Sequence, residues 1–185
     1  MDNLHKSRTK GVAVLPFKEV SLSIIGSKLT STYRYYLGRV GSCNERMDHT
    51  KYYAIDREMD KFGMDPVDAA VWGLYEKTGY HSEITDFIYL GIVQSGDTET
   101  FLYAIDVTSL PQHDLTEEDH DLTEEDHDLT EEEHDLAGTE TEWLSERQLL
   151  WSGDPLLITM YSRLKDWMKY GNDIELNEEE DYSAF

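Results

Sequence analysis

The sequence predicts an α/β fold with an acidic repeat inserted late in the domain and an acidic tail at its C-terminal end. Three observations lead there. Short stretches rich in Val, Ile, Leu and Tyr recur before residue 56 and again between residues 86 and 107. A sharply bounded amphipathic helix stands between the two groups, and a longer helix with one apolar face follows residue 154.

The elements follow in order. Residues 11–17 read as a buried strand. Residues 20–25 set Val20, Leu22 and Ile24 against small polar residues and read as a second strand. Residues 33–40 form a third, rich in tyrosine, and 41–50 read as a loop. Residues 52–55 make a short strand, and 56–63 return to loop. The helix over 65–79 has Asp65 as N-cap, Pro66 at its first position and Asp68 three residues after the cap. Val67, Ala70, Val71 and Leu74 give it one apolar face, and Gly79 stops it. Residues 86–94 and 100–107 form a hairpin around Gly96 and Asp97. After the repeat, Glu142, Trp143 and Leu144 form a last short strand. Ser145 then caps a brief helix over 146–150. Asp154 and Pro155 open the longer helix, with Leu157, Met160, Tyr161, Leu164, Trp167 and Met168 on one face and Gly171 at its end.

The 185 residues, 39% of them hydrophobic, suffice for one domain with a sizeable core. The expected organisation is a flexible N-terminus at 1–10, a domain over 11–170 interrupted by a loop at 113–140, and a tail at 171–185. No apolar run approaches the ~20 residues of a membrane span. Residues 1–10 lack the apolar stretch of a secretory signal. The single cysteine, Cys43, leaves no internal disulfide and no all-cysteine zinc site. These features together fit a cytoplasmic protein.

The formal charge of −23 is unevenly spread. Residues 113–140 hold fourteen Asp and Glu with no Lys or Arg, and residues 171–185 hold six more. Without those twenty acids the body carries −3. No basic stripe is visible, so direct nucleic-acid binding is not expected. The acidic loop is a heptapeptide repeat. The unit at His113 recurs from His120 and, with one change, from His127, with a decayed copy from His134. Each copy offers one leucine, where a coiled coil needs two apolar positions per heptad. A solvated low-complexity spacer is the plain reading. A weak divalent-metal site among its histidines and a contact with a basic protein surface are the functional ones.

The helix and its flanks, Gly63 to Tyr80, resemble the Nudix hydrolase family, whose signature is GX5EX7REUXEEXGU with U a bulky apolar residue. The closing glycine falls on Gly79, the bulky residue after it on Tyr80, the internal bulky residue on Leu74, and the first glutamate of the EE pair on Glu76. Trp143-Leu144-Ser145 before a short helix and a long C-terminal helix is the usual family ending. The resemblance spans about residues 11–170. It implies a Nudix-type α/β/α sandwich with a mixed sheet, and cleavage of a nucleoside diphosphate linked to another moiety by magnesium or manganese held on helix carboxylates. The motif is degenerate. Gly73 and Lys77 stand at two glutamate positions, Trp72 at the arginine, Met64 at the earlier glutamate and Glu58 at the first glycine. Positions 73, 76 and 77 lie three or four residues apart, so carboxylates there would converge on one ion cluster; here Glu76 alone remains.

Glu76 is thus the candidate catalytic and metal residue, with Glu58 and Asp60 of the preceding loop as candidate added metal ligands. Arg34, Tyr36 and Arg39 are candidate substrate-binding residues. Tyrosines of strands 33–40 and 52–55 could stack on a base, although strand tyrosines commonly form ordinary sheet surface. No phosphate-binding glycine loop and no zinc spacing occurs. Three functions are carried forward. The first is a weakly active or inactive Nudix fold binding a nucleotide or a protein. The second is an active metal-dependent Nudix hydrolase, and the third an acidic interaction protein engaging a basic partner.

Overall fold

A computed structural model describes residues 9–23, 30–41, 52–59, 64–113 and 140–171. Its centre is one long strand, β1 (Thr9–Ser23). The other strands are β2 (Thr30–Val40), β3 (Tyr52–Tyr53), β4 (Ile55–Glu58), β5 (Phe87–Ser95), β6 (Thr98–Asp106) and β7 (Thr141–Ser145). The helices are α1 (Pro66–Thr78), α2 (Glu146–Trp151) and α3 (Pro155–Tyr170). The sheet runs β3-β2-β1-β6-β5, with β4 paired to β1 and β7 to β2. β1 and β6 are parallel and all other pairs antiparallel, so the sheet is mixed.

Side-chain alternation along β1 explains the layers. Val12 and Val14 point into a core with Ala69, Ala70 and Leu74 of α1. Ala13, Leu15 and Phe17 point into the opposite core with Leu149 of α2 and Leu157, Met160 and Leu164 of α3. A strand covered on both faces must be apolar at successive positions, and residues 11–17 are all buried. The fold is therefore an α/β/α sandwich around a mixed sheet.

Three boundaries differ from the sequence reading, one of them the single strand expected over 52–55, which breaks at Ala54 into β3 on β2 and β4 on β1. Residues 11–17 and 20–25 were expected as separate strands, but β1 runs unbroken to Ser23. Lys18 and Glu19 look like a break because they are charged. They stay in the strand because β2 pairs with them at Tyr35 and Arg34, and the Lys18 ammonium lies 3.9 Å from the Trp143 ring centroid. The loop expected over 56–63 begins later, because Asp56, Arg57 and Glu58 pair with Ala13, Val12 and Gly11.

α1 keeps its expected caps. The Asp65 carboxylate accepts from the Val67 N–H at 3.1 Å, and Gly79, at φ 71°, donates its N–H to Tyr75 O. Its buried face is rotated slightly from the Val67–Ala70–Val71–Leu74 stripe. Ala69, Ala70, Gly73 and Leu74 are buried, whereas Val71 stands at the edge. Small residues at 69 and 73 let the helix sit close to the sheet. The hairpin, the final strand and the two later helices form as expected, with Ser145 and Asp154 as caps. Among the described residues no helix is long and apolar enough to cross a membrane. Residues 1–8, 42–50 with Cys43, Asp60, the repeat from 114 to 139 and the tail from 172 lie outside the described residues.

Candidate functional site

On β4 the alternation places Ile55, Arg57 and Met59 toward α1, and Ile55 and Met59 belong to the α1-side core. Arg57 is half-buried there. Its stem lies across Gly73: a Cβ built on that glycine would meet Arg57 Cβ at 3.4 Å and Cδ at 3.7 Å. Its guanidinium then reaches Glu76, with Nη1 donating to Oε2 at 2.7 Å. The other carboxylate oxygen, Oε1, stands 3.9 Å from Lys77 Nζ, on a side chain only 8% exposed. Two cations therefore hold the carboxylate from two sides.

This arrangement does not suit the divalent ion that the fold implies. Each fixed positive charge within ~4 Å opposes a divalent cation by on the order of several kcal/mol even under partial screening. A side chain at position 73 would start in van der Waals contact with the Arg57 stem, beside the guanidinium that holds Glu76. Among the described residues no three His, Cys, Asp or Glu side chains stand close enough to share a metal ion.

The other sequence candidates scatter. Glu58 follows Arg57 by one residue, so alternation turns it to the sheet face opposite α1, away from Glu76. Asp60 lies outside the described residues. Arg34 and Tyr36 share a groove of about 320 Å³ with Tyr33, Arg147, Glu146 and Lys165, on the α2–α3 side. Two of its three cations are ion-paired: Arg34 Nε donates to Glu19 at 2.5 Å, and Lys165 Nζ lies 3.1 Å from Glu146; the third, Arg147, lies over the Trp151 ring. Tyr36 is buried edge-on against Tyr161, with ring centroids 5.2 Å apart. Burial, then the neighbouring Tyr161, pushes its phenol up to about 12. Hydrogen bonds from Tyr161 and then Lys165 hold the Glu146 carboxyl below its ordinary value. Arg39 is not part of this groove; it pairs with Asp56 at 3.3 Å and lies over the Tyr53 ring.

Two features escaped the sequence reading. One is Arg57, which sits 19 positions before its partner and meets it only because β4 pairs with β1. The other is an open groove of about 630 Å³ beside α1. Met64, Asp68, Val71 and Trp72 line one side, and Ser82 with the 3-10 turn Ile84–Asp86 and its cap Glu83 the other. Trp72 occupies the signature's arginine position and is 53% exposed. An apolar residue where the motif expects a cation was the available signal.

No family model and no curated protein matches the sequence. Solved structures do match. A chain in the crystal structure of the complex between the C-terminal domain of mouse MUTYH and human PCNA aligns with a TM-score of 0.52 at 8% identity, over 87% of this chain and 90% of that one. The crystal structure of an ADP compounds hydrolase aligns at 0.52 and 11% identity, over 89% and 75%. A NUDIX hydrolase from Nitrosomonas europaea aligns at 0.50 and 12% identity, over 85% and 88%. At these identities the likeness concerns the fold, and the fold is Nudix-like.

Proposed function

We propose that this Nudix fold is a binding protein rather than a diphosphate hydrolase, and that its partner is another protein. One observation carries the first half: Arg57 lies against Gly73 and donates to the Glu76 carboxylate, whose other oxygen stands 3.9 Å from Lys77 Nζ. With its charge matched by protein cations, Glu76 is a structural link between α1 and β4. The second half is supported by Trp72, a large apolar surface at a helix position where the signature has arginine. A chain of similar fold comes from a complex with human PCNA, so the architecture is compatible with protein contacts.

The test is metal binding and hydrolysis on the full chain. Calorimetric titration with Mg²⁺ or Mn²⁺ is expected to show no site in the millimolar range. ADP-ribose, nucleoside triphosphates and dinucleoside polyphosphates are expected to release no product. Metal-dependent hydrolysis that disappears in Glu76→Gln would overturn the reading. The triple variant Arg57→Ser, Gly73→Glu, Lys77→Glu restores three carboxylates at helical spacing and removes both cations. It is expected to gain a divalent-cation heat signal that the parent lacks.

A further inference from the structure

We infer that the groove between α1 and the 83–86 turn docks a basic segment of another protein through an apolar anchor seated against Trp72. The inference rests on the binding-protein reading and names that partner's chemistry.

Half of the groove's lining is apolar. Met64, Val71, Trp72 and Ile84 line it, and Trp72 and Ile84 remain 53% and 52% exposed. On α1, Asp68, Val71 and Trp72 are spaced three and four apart, so they form one helix face. This face is separate from the Ala69–Ala70–Gly73–Leu74 face packed on the sheet. Ser82, on the opposite wall, has a hydroxyl shielded from solvent with no hydrogen-bond partner among the described residues.

Charge then selects among occupants. Among the described residues, the ionisable ones lining the groove are Asp68 and Glu83, both acidic, and none is Lys or Arg. A nucleotide would bring its phosphates against two carboxylates. A second copy of this chain is opposed by a net charge of −23 on each molecule. This chain's own acidic segments, at 113–140 and 171–185, are opposed by the same repulsion. A segment with Lys or Arg flanking a leucine-like anchor suits both the apolar lining and the two carboxylates.

The experiment titrates the full chain with fluorescent synthetic peptides and reads anisotropy at 150 mM salt. One peptide carries a leucine stripe among lysines, one the same stripe among glutamates, and one the same lysines with serine replacing leucine. The leucine–lysine peptide is expected to bind. The glutamate peptide is expected to show no binding, and the serine–lysine peptide to bind at least tenfold more weakly. Trp72→Ala is expected to weaken the leucine–lysine peptide at least tenfold and Asp68→Asn severalfold. Trp151→Ala, which removes the even more exposed tryptophan of α2, should leave binding unchanged. Circular dichroism checks that each variant is folded, and Trp72→Phe is expected to recover part of the affinity.

Equal binding by wild type and Trp72→Ala, or by the leucine and serine peptides, would overturn the inference, because the acidic repeat would then be holding lysines by charge alone. A dimer in sedimentation that Trp72→Ala dissolves would also overturn it, in favour of a second copy. Hydrolysis is measured separately. A chain that cleaves ADP-ribose yet loses the peptide with Trp72 would keep this inference and sink the non-catalytic reading.

Discussion

Glu76 shows how the setting of a side chain decides its chemistry. The spacing of the signature identifies it as the carboxylate that remains, and that much was legible in the sequence. Arg57 was not, because a strand arginine carries no mark of the helix it will cover; only the β4–β1 register brings it over Gly73. Two buried tyrosines give a measurable consequence at the same scale. Burial raises the phenols of Tyr36 and Tyr103 from 10.0 to about 12, with Tyr161 adding to the first and Tyr89 and Asp65 to the second. Below pH 10 both folded and unfolded chains keep these protons, and the stabilisation is whole. Between about pH 10 and 12 the unfolded chain releases protons that the folded chain retains, so stability falls as pH rises. Thermal midpoints from pH 8 to 11.5 are expected to drop steeply above pH 10, and Tyr36→Phe and Tyr103→Phe to shallow the drop. Burial also raises the phenols of Tyr80 and Tyr161, so absorbance titration should show a late group that includes Tyr36 and Tyr103, ionising after the exposed phenols; a single transition for all of them would refute the burial account.

Helix ends were the most legible elements, because capping chemistry is local. Asp65, Ser145 and Asp154 each precede their helix by one residue and each accepts a backbone N–H. Strand limits were harder to read. Lys18 and Glu19 look like a turn until β2 supplies partners, and the burial of Gly73 in place of Val71 follows from close packing on β4, which periodicity alone does not encode. Asp154 also does more than its local role announces. Oδ1 accepts from Leu156 N–H at 3.0 Å and caps α3, while Oδ2 accepts from Ala54 N–H at 3.1 Å. Ala54 is the residue between β3 and β4, so one carboxylate ties the last helix to the strand junction next to Arg57. Asp154→Ala removes a cap worth about 1 kcal/mol and orphans a partly buried donor at about 1–3 kcal/mol. A loss of about 2–4 kcal/mol in urea denaturation is therefore expected, with Asp154→Asn in between. A loss below about 1 kcal/mol would mean that water replaces both bonds.

Across the whole molecule the charge is divided between a nearly neutral body and two acidic segments that hold twenty of its acids. Salt acts on two opposed terms. The surface pairs Arg34–Glu19, Arg39–Asp56, Arg57–Glu76 and Lys165–Glu146 are attractive, but their charges stand only 2.5–3.3 Å apart. That separation is far inside a Debye length of about 10 Å at 0.1 M, so added salt weakens them little. Each is worth only about 0–1 kcal/mol at a surface. The repulsion among twenty excess negative charges acts over longer distances, and those are the distances that screening removes when the Debye length falls from about 30 Å at 0.01 M to about 10 Å at 0.1 M. Repulsion opposes the compact state, so the thermal midpoint is expected to rise from 10 to 100 mM NaCl and to level off beyond about 0.3 M, where little long-range field is left to screen. A midpoint that falls over the same range would show that the ion pairs outweigh the net charge. The Arg57–Glu76 contact would then be the first pair to test by a double-mutant cycle, because it joins the one helix and the one strand on which the functional reading depends.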